Sequence, residues 1–112
     1  MEHVKEIQSA LKFIESNLSN DITLESIASA VGFSKFHFHR KFQKEVGMSI
    51  YDYVRKRRLA NASALLINTD MPILEIAISF KFESQESFTR AFKSIYQLPP
   101  NRYRNALKNL LT

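Results

Sequence analysis

The sequence predicts an all-α fold of seven helices, and three observations lead to that prediction. Apolar residues recur three and four positions apart through almost all of the 112 residues, which places them on one face of a helix. Residue types that cap helices precede most of these stretches. The chain has two glycines and three prolines, too few for the many tight turns of a β-sandwich or barrel.

In the first half of the chain, caps and glycines mark the predicted limits of each helix. Thr23 and Ser34 are the predicted N-caps of the second and third helices, because their hydroxyls can accept from free backbone N–H groups. Gly32 and Gly47 follow those helices and suit helix C-termini. The first helix carries an apolar stripe that consists of Val4, Ile7, Leu11, Ile14 and Leu18.

The second half of the chain begins with the longest predicted helix. Ser49 is its predicted N-cap, and the helix over residues 50–67 would be roughly 27 Å long at ~1.5 Å per residue. Pro72 suits the first turn of a fifth helix. Ser84 is the predicted cap of the sixth, and the prolines at 99–100 precede a short seventh helix.

Two stretches of the chain repeat each other when Glu83 is treated as one extra residue in the second. Each copy is an amphipathic helix, a tight turn and a second capped helix, which is the form of a helix-turn-helix. Any helical bundle repeats apolar residues, but a bundle alone does not predict that capping serines and outward arginines also match. The matched pairs are Leu24 with Ile73, Ile27 with Ile76, Ala28 with Ala77, Val31 with Phe80, Phe33 with Phe82, Ser34 with Ser84, Phe38 with Phe88, Arg40 with Arg90, and Phe42 with Phe92.

This repeat predicts a first helix-turn-helix lobe over about residues 1–48, a linker helix over about 49–68 and a second lobe over about 72–112. Because the two lobes differ in sequence, one molecule could read an asymmetric site without a twofold partner. We therefore expect a monomer on its target.

Composition narrows the class of protein. Sixteen Lys and Arg against eleven Asp and Glu give a net charge of +5, which suits a polyanionic partner because neutralised phosphates release counterions. The chain has no cysteine, which excludes disulfides, thiol nucleophiles and thiolate zinc sites and fits a cytoplasmic protein. No apolar run approaches the ~18 residues of a membrane span, so no membrane association is expected.

Five stretches resemble the DNA-binding region of the AraC/XylS family of bacterial transcription regulators, especially its small members. They are residues 22–28, 32–38, 72–77, 82–93 and 99–104, and together they cover nearly the whole chain. The resemblance implies double-stranded DNA as partner, with two recognition helices in successive major grooves, positioned by the long fourth helix. It also favours an activator that touches RNA polymerase.

The predicted DNA-contacting residues lie opposite the buried phenylalanines of the third and sixth helices, at ~100° per residue. Arginines at 40 and 90 can pair bidentately with guanine, and the resemblance points to these two positions. The predicted base-reading residues are Phe36, His39, Arg40, Gln43, Gln85, Glu86, Thr89 and Arg90. The predicted phosphate contacts are Lys35, Lys44, Arg57 and Lys93.

Several of these positions have alternative interpretations. Phe36 could press on a thymine methyl group or pack against a neighbouring helix, and Glu86 repels phosphate but could accept from cytosine N4. The family often has tryptophan at position 36 and glutamine at positions 39 and 86, so these departures bear on the DNA sequence preferred. The lysines could be solvated charges. The four basic side chains at 55–58 point in different directions around their helix, so they cannot all face a duplex.

Other function classes find less support. His37 and His39 point in roughly opposite directions and have no third ligand nearby, so no metal or other cofactor is expected. The chain lacks a glycine-rich phosphate loop and a nucleophile elbow, which argues against an enzyme. The alternative function is a basic helical adaptor that binds an acidic partner such as RNA polymerase. No small-molecule site is evident; the sequence leaves open the operator, the regulated genes, and whether an effector-binding domain follows Thr112.

Overall fold

The computed structural model describes residues 4–111, apart from the side chains of Val4 and Leu111. Within these residues the chain forms seven helices and no strand, which confirms the predicted all-α fold. The chain divides into two compact units, one up to Arg57 and one from Arg58, so the boundary falls inside the longest helix. The helices are α1 (Val4–Ser16), α2 (Leu24–Ala30), α3 (Lys35–Val46), α4 (Ile50–Asn68), α5 (Ile73–Ser79), α6 (Gln85–Tyr96) and α7 (Pro100–Leu111).

The first unit packs the apolar faces of α1, α2, α3 and the start of α4. Phe38 and Phe42 are fully buried, each worth roughly 1.5–3 kcal/mol of transfer free energy, and the Phe42 ring meets Tyr53 of α4 edge-on at 5.6 Å. α1 ends two residues before Leu18, which lies in the following turn and is still buried. Of the predicted stripe, Ile7 and Ile14 are buried, Leu11 is half-buried, and the side chain of Val4 lies outside the described residues.

The four predicted N-caps are confirmed. Thr23 and Ser84 each accept from the N–H of a serine three residues on, and that serine's hydroxyl accepts from the backbone N–H of the cap, which completes a capping box. Ser34 accepts from the His37 N–H at 3.3 Å, and Ser49 accepts from the Asp52 N–H at 3.1 Å. These bonds satisfy N–H groups that have no partner within the helix, and they fix where each helix starts.

The turn of each copy uses the left-handed backbone conformation at the same place. Gly32 has φ +80° and Lys81, its counterpart, has φ +69°. The next residue then donates its N–H to the mid-helix alanine, at 2.9 Å to Ala28 and 3.0 Å to Ala77. The ends of α3 and α6 repeat this correspondence, with Gly47 at φ +87° and Gln97 at φ +72°.

The prolines occupy positions that differ from the predictions. Pro72 is the N-cap of α5 and lies one residue before its first turn, where it has an extended ψ of 143°. Pro100 does not precede the last helix but begins it, since its missing N–H would have no helical partner there. α7 has 12 residues, as many as α3 and α6, and is therefore not short.

The second unit is closed by α7. Phe92 of α6 is fully buried; its ring stacks on Tyr96 at 4.5 Å and meets Tyr103 of α7 edge-on at 5.0 Å. Arg104, the next residue of α7, donates to the carbonyls of Leu66 at 2.9 Å and Met71 at 2.7 Å. α7 therefore fixes both the aromatic core of this unit and the chain that leaves α4.

Candidate nucleic-acid interface

α3 separates its buried and exposed residues as the sequence predicts. Because Phe38 and Phe42 face the core, Arg40, Gln43 and Lys44 on the opposite side are exposed to solvent. Phe36, in the first turn, is also exposed, with 72% of its surface accessible. An aromatic ring this exposed contributes nothing to the core, so its packing against a neighbouring helix is not what the structure shows.

His39 differs from the other predicted base-reading residues of α3. It is half-buried, and its Nδ1 atom is buried with no hydrogen-bond partner among residues 4–111. His37, on the other flank, stacks on Phe33 at 5.0 Å between ring centroids. Both histidines therefore lie at the edges of the exposed face rather than at its centre.

Lys35 joins α3 to α2. Its Nζ atom lies 3.1 Å from Glu25 Oε1 and 5.3 Å from the centre of the Phe36 ring. The pKa of Glu25 is lowered, first by a backbone hydrogen bond at Glu25 itself and then by the hydrogen bond and charge of Lys35. No local pattern indicates this pair, because the two residues are ten positions apart across a turn and have no helical spacing. A phosphate contact by Lys35 would compete with it.

α6 presents the second candidate face. Gln85, Glu86, Arg90 and Lys93 are exposed, and Thr89 is half-buried. Arg90 Nη1 lies 3.8 Å from Glu86 Oε1, one helical turn away, and their side chains are 74% and 81% exposed. A pair this exposed contributes about 0–1 kcal/mol, so a base or phosphate could readily draw either group away.

The repeat relates the two faces position by position. Arg40 and Arg90 are equivalent, and both are exposed one turn after the start of a helix capped by serine. The position four residues earlier is also exposed in both copies, but it holds Phe36 in one and Glu86 in the other. The two faces thus share an arginine and differ in the residue beside it.

Arg57 is engaged within the first unit. Its guanidinium contacts Glu15 of α1, with Nη2 at 2.6 Å from Oε1 and Nε at 3.2 Å from both carboxylate oxygens. This partner, 42 positions away, was not predicted, and a phosphate would have to compete with it. Within the same basic run Arg55 and Lys56 are exposed and Arg58 is half-buried, so the four residues do not share one face.

The described residues form neither a candidate metal site nor a candidate membrane span. Among residues 4–111, no three histidine, aspartate or glutamate side chains are grouped closely enough to hold a metal ion. None of the helices in this part of the chain is both long enough and apolar enough to cross a membrane.

Comparison with known proteins identifies the family. A family model described as a helix-turn-helix domain matches residues 27–106. The HTH-type transcriptional activator AarP of Providencia stuartii is 39% identical over 98 residues, which are 88% of this chain and 73% of AarP. The chain belongs to the AraC/XylS family. Membership of the AraC/XylS family makes it a DNA-binding transcription regulator and not an enzyme.

Two further matches agree with membership of the AraC/XylS family. The HTH-type transcriptional regulator YbfP of Bacillus subtilis is 53% identical over 108 residues, which are 96% of this chain and 37% of YbfP. The chain thus spans little more than a third of that relative. The C-terminal domain of AraT, a response regulator from Geobacillus stearothermophilus, superposes with a TM-score of 0.85 at 32% identity, covering 95% of this chain and 88% of that domain.

Proposed function

We propose that this AraC/XylS domain binds one asymmetric double-stranded DNA site as a monomer, with α3 and α6 as recognition helices in successive major grooves. The observation that carries this proposal is the pair of arginines at equivalent, exposed positions of two serine-capped helices, each backed by two buried phenylalanines. The proposal retains the predicted lobes of about 1–48 and 72–112, with a linker helix of about 49–68. The base-reading residues are Phe36, His39, Arg40, Gln43, Gln85, Glu86, Thr89 and Arg90.

The chemistry of the exposed faces supports this assignment. An arginine presents two parallel N–H donors that match O6 and N7 of guanine, which is worth ~1–3 kcal/mol of discrimination against other bases. Lys44 and Lys93 are exposed beside these arginines and supply phosphate contacts. Lys35 and Arg57 contribute phosphate contacts by exchanging a carboxylate partner for a phosphate oxygen.

The regulatory outcome we propose is activation in the cytoplasm, through a contact with RNA polymerase made while the domain is bound to DNA. AarP, which is 39% identical to this chain, is named as a transcriptional activator. The net charge of +5 favours DNA and an acidic protein surface alike.

Selection of bound duplexes from a random pool tests the proposal. We expect one asymmetric consensus with a guanine at each half, and log affinity that falls steeply with log salt. Arg40→Ala should flatten base preference in one half of the site and Arg90→Ala in the other, whereas Arg102→Ala, an exposed arginine on α7, should leave both halves unchanged. Equal losses on specific and random duplexes would assign the arginines to phosphates. No consensus and no salt slope would favour the adaptor function.

A further inference from the structure

We infer that the two recognition helices read different bases at one equivalent position: Phe36 selects thymine, and Glu86 selects cytosine. The inference rests on the proposed function, and it assigns a base class to each half of the site. The two repeats differ here, with Phe36 in one and Glu86 in the other. The fold does not require this difference, because both side chains are exposed and neither belongs to a core.

The two positions are equivalent in backbone as well as in sequence. α3 and α6 have 12 residues each, and each follows a serine N-cap in the extended conformation whose hydroxyl accepts from the third N–H of the helix. Phe36 and Glu86 are both the second residue after that cap, and Arg40 and Arg90 both follow one turn later. The difference between the helices is therefore one of chemistry and not of placement.

Phe36 matches the one apolar group that the major groove offers. Thymine alone among the four bases presents a methyl group there, and the other groups at the base edges are hydrogen-bond donors and acceptors. The Phe36 ring keeps 72% of its surface exposed even with the Lys35 ammonium 5.3 Å from its centre. Contact with a thymine methyl would remove apolar surface of both partners from water, whereas contact with an amine or carbonyl would leave a polar group unpaired.

Glu86 matches the base edge of opposite character. A carboxylate only accepts hydrogen bonds, so it disfavours guanine and thymine, whose polar groups in the major groove are acceptors. Cytosine presents an N4 donor, while adenine places an N7 acceptor beside its N6 donor. The carboxylate also repels phosphates, and the nearby Arg90 compensates its charge at 3.8 Å. Glu86 therefore selects as much by rejecting wrong sites as by binding the right one.

A purely structural role for Glu86 makes a different prediction. An acidic residue in the first turn of a helix interacts favourably with the N-terminal dipole, and a basic residue four positions later adds a weak ion pair. If this were all that Glu86 does, its replacement would change stability slightly and leave base preference unaltered. Base preference at a single position of the site is therefore the measurement that separates the two roles.

Random-pool selection with wild-type protein and three variants tests the inference. With wild-type protein we expect thymine near the guanine of one half-site and cytosine near the guanine of the other. Glu86→Gln should change cytosine to adenine, since glutamine pairs with N6 and N7 of adenine, and Phe36→Glu should change thymine to cytosine. Each change should alter the ratio of dissociation constants by about fivefold or more. Glu75→Gln, in the first turn of α5, is the matched control and should leave the consensus unchanged.

A second measurement isolates the methyl group. Replacing the selected thymine by deoxyuridine removes only that group, and should weaken wild-type binding about three- to fourfold, as expected for one buried methyl. The Phe36→Ala variant should bind the thymine and deoxyuridine duplexes equally tightly. A wild-type consensus that Glu86→Gln and Phe36→Glu leave unchanged would overturn the inference while the proposed function stands. A wild-type selection without any consensus would instead overturn the proposed function.

Discussion

Replacing Arg104 by alanine should destabilise the second unit by about 2–4 kcal/mol. The Arg104 guanidinium donates to the carbonyls of Leu66 and Met71, at 2.9 and 2.7 Å. Leu66 lies in the last turn of α4, where carbonyls accept no hydrogen bond from within the helix. Met71 lies in the loop that follows. A hydrogen bond to a charged group contributes about 1.5–3 kcal/mol, and we reduce the sum of two because Arg104 is only half-buried and water can replace part of the loss.

Urea unfolding followed by circular dichroism measures this loss. With a denaturant dependence of about 2 kcal/mol per molar, the midpoint should fall by about 1–2 M. Arg104→Lys should recover only part of the stability, because one ammonium group cannot reproduce the two-pronged geometry of the guanidinium. Arg102→Ala, on the exposed side of α7, should stay within about 0.5 kcal/mol of wild type. A loss below about 0.5 kcal/mol for Arg104→Ala, or full recovery with lysine, would refute the reasoning.

Two further predictions concern stability. Gln97→Gly should raise the free energy of unfolding by about 0.5–1 kcal/mol, because Gln97 adopts φ +72°, a left-handed conformation that favours glycine. Gly47→Ala should lower the free energy of unfolding by about 1 kcal/mol, because the backbone would be strained although the added Cβ atom meets no neighbour. Urea midpoints of the two variants should move in opposite directions; movement of both in the same direction would contradict this. The folded pKa values of Glu25 and Asp70 lie below their ordinary values of 4.5 and 3.8, lowered chiefly by a backbone hydrogen bond at Glu25 and by the side-chain bond from Lys108 to Asp70. Their stabilisation is therefore complete above those values and is lost as the pH falls below them. Glu25→Gln combined with Asp70→Asn should flatten the decline in stability below pH 4.5, and an unchanged decline would count against the two pairs.

Local signals in the sequence were enough to predict most of the fold. The hydroxyls of Thr23, Ser34, Ser49 and Ser84 cap the helices they were predicted to cap, because an N-cap depends on residues within three positions of it. The left-handed turn at Lys81 was not predicted, since lysine has no preference for that conformation and the repeat alone indicates it. Such a position is visible only when the second copy is compared with Gly32 of the first.

The exposed faces of α3 and α6 were also predictable, but the electrostatic partners of the charged residues were not. Arg40 and Arg90 lie opposite buried phenylalanines because helical geometry fixes that relation. The pairing of Arg57 with Glu15 joins α4 to α1 over 42 positions, and no local pattern indicates it. His39 was predicted to lie among the base-reading residues, yet its half-burial depends on packing that periodicity at ~100° per residue does not resolve.

The division of the chain inside α4 limits how the two compact units could be exchanged between related regulators. Ile50 and Val54 are buried in the part of α4 that belongs to the first unit, and Leu59 and Leu66 are buried in the part that belongs to the second. A chimera joined at the loop after α3 or before α5 would carry half of a foreign helix into one of the hydrophobic cores. A junction between Arg57 and Arg58, in the middle of a helix, keeps each compact unit together with its own core residues. Chimeras of this fold should therefore be joined within a helix rather than at a loop.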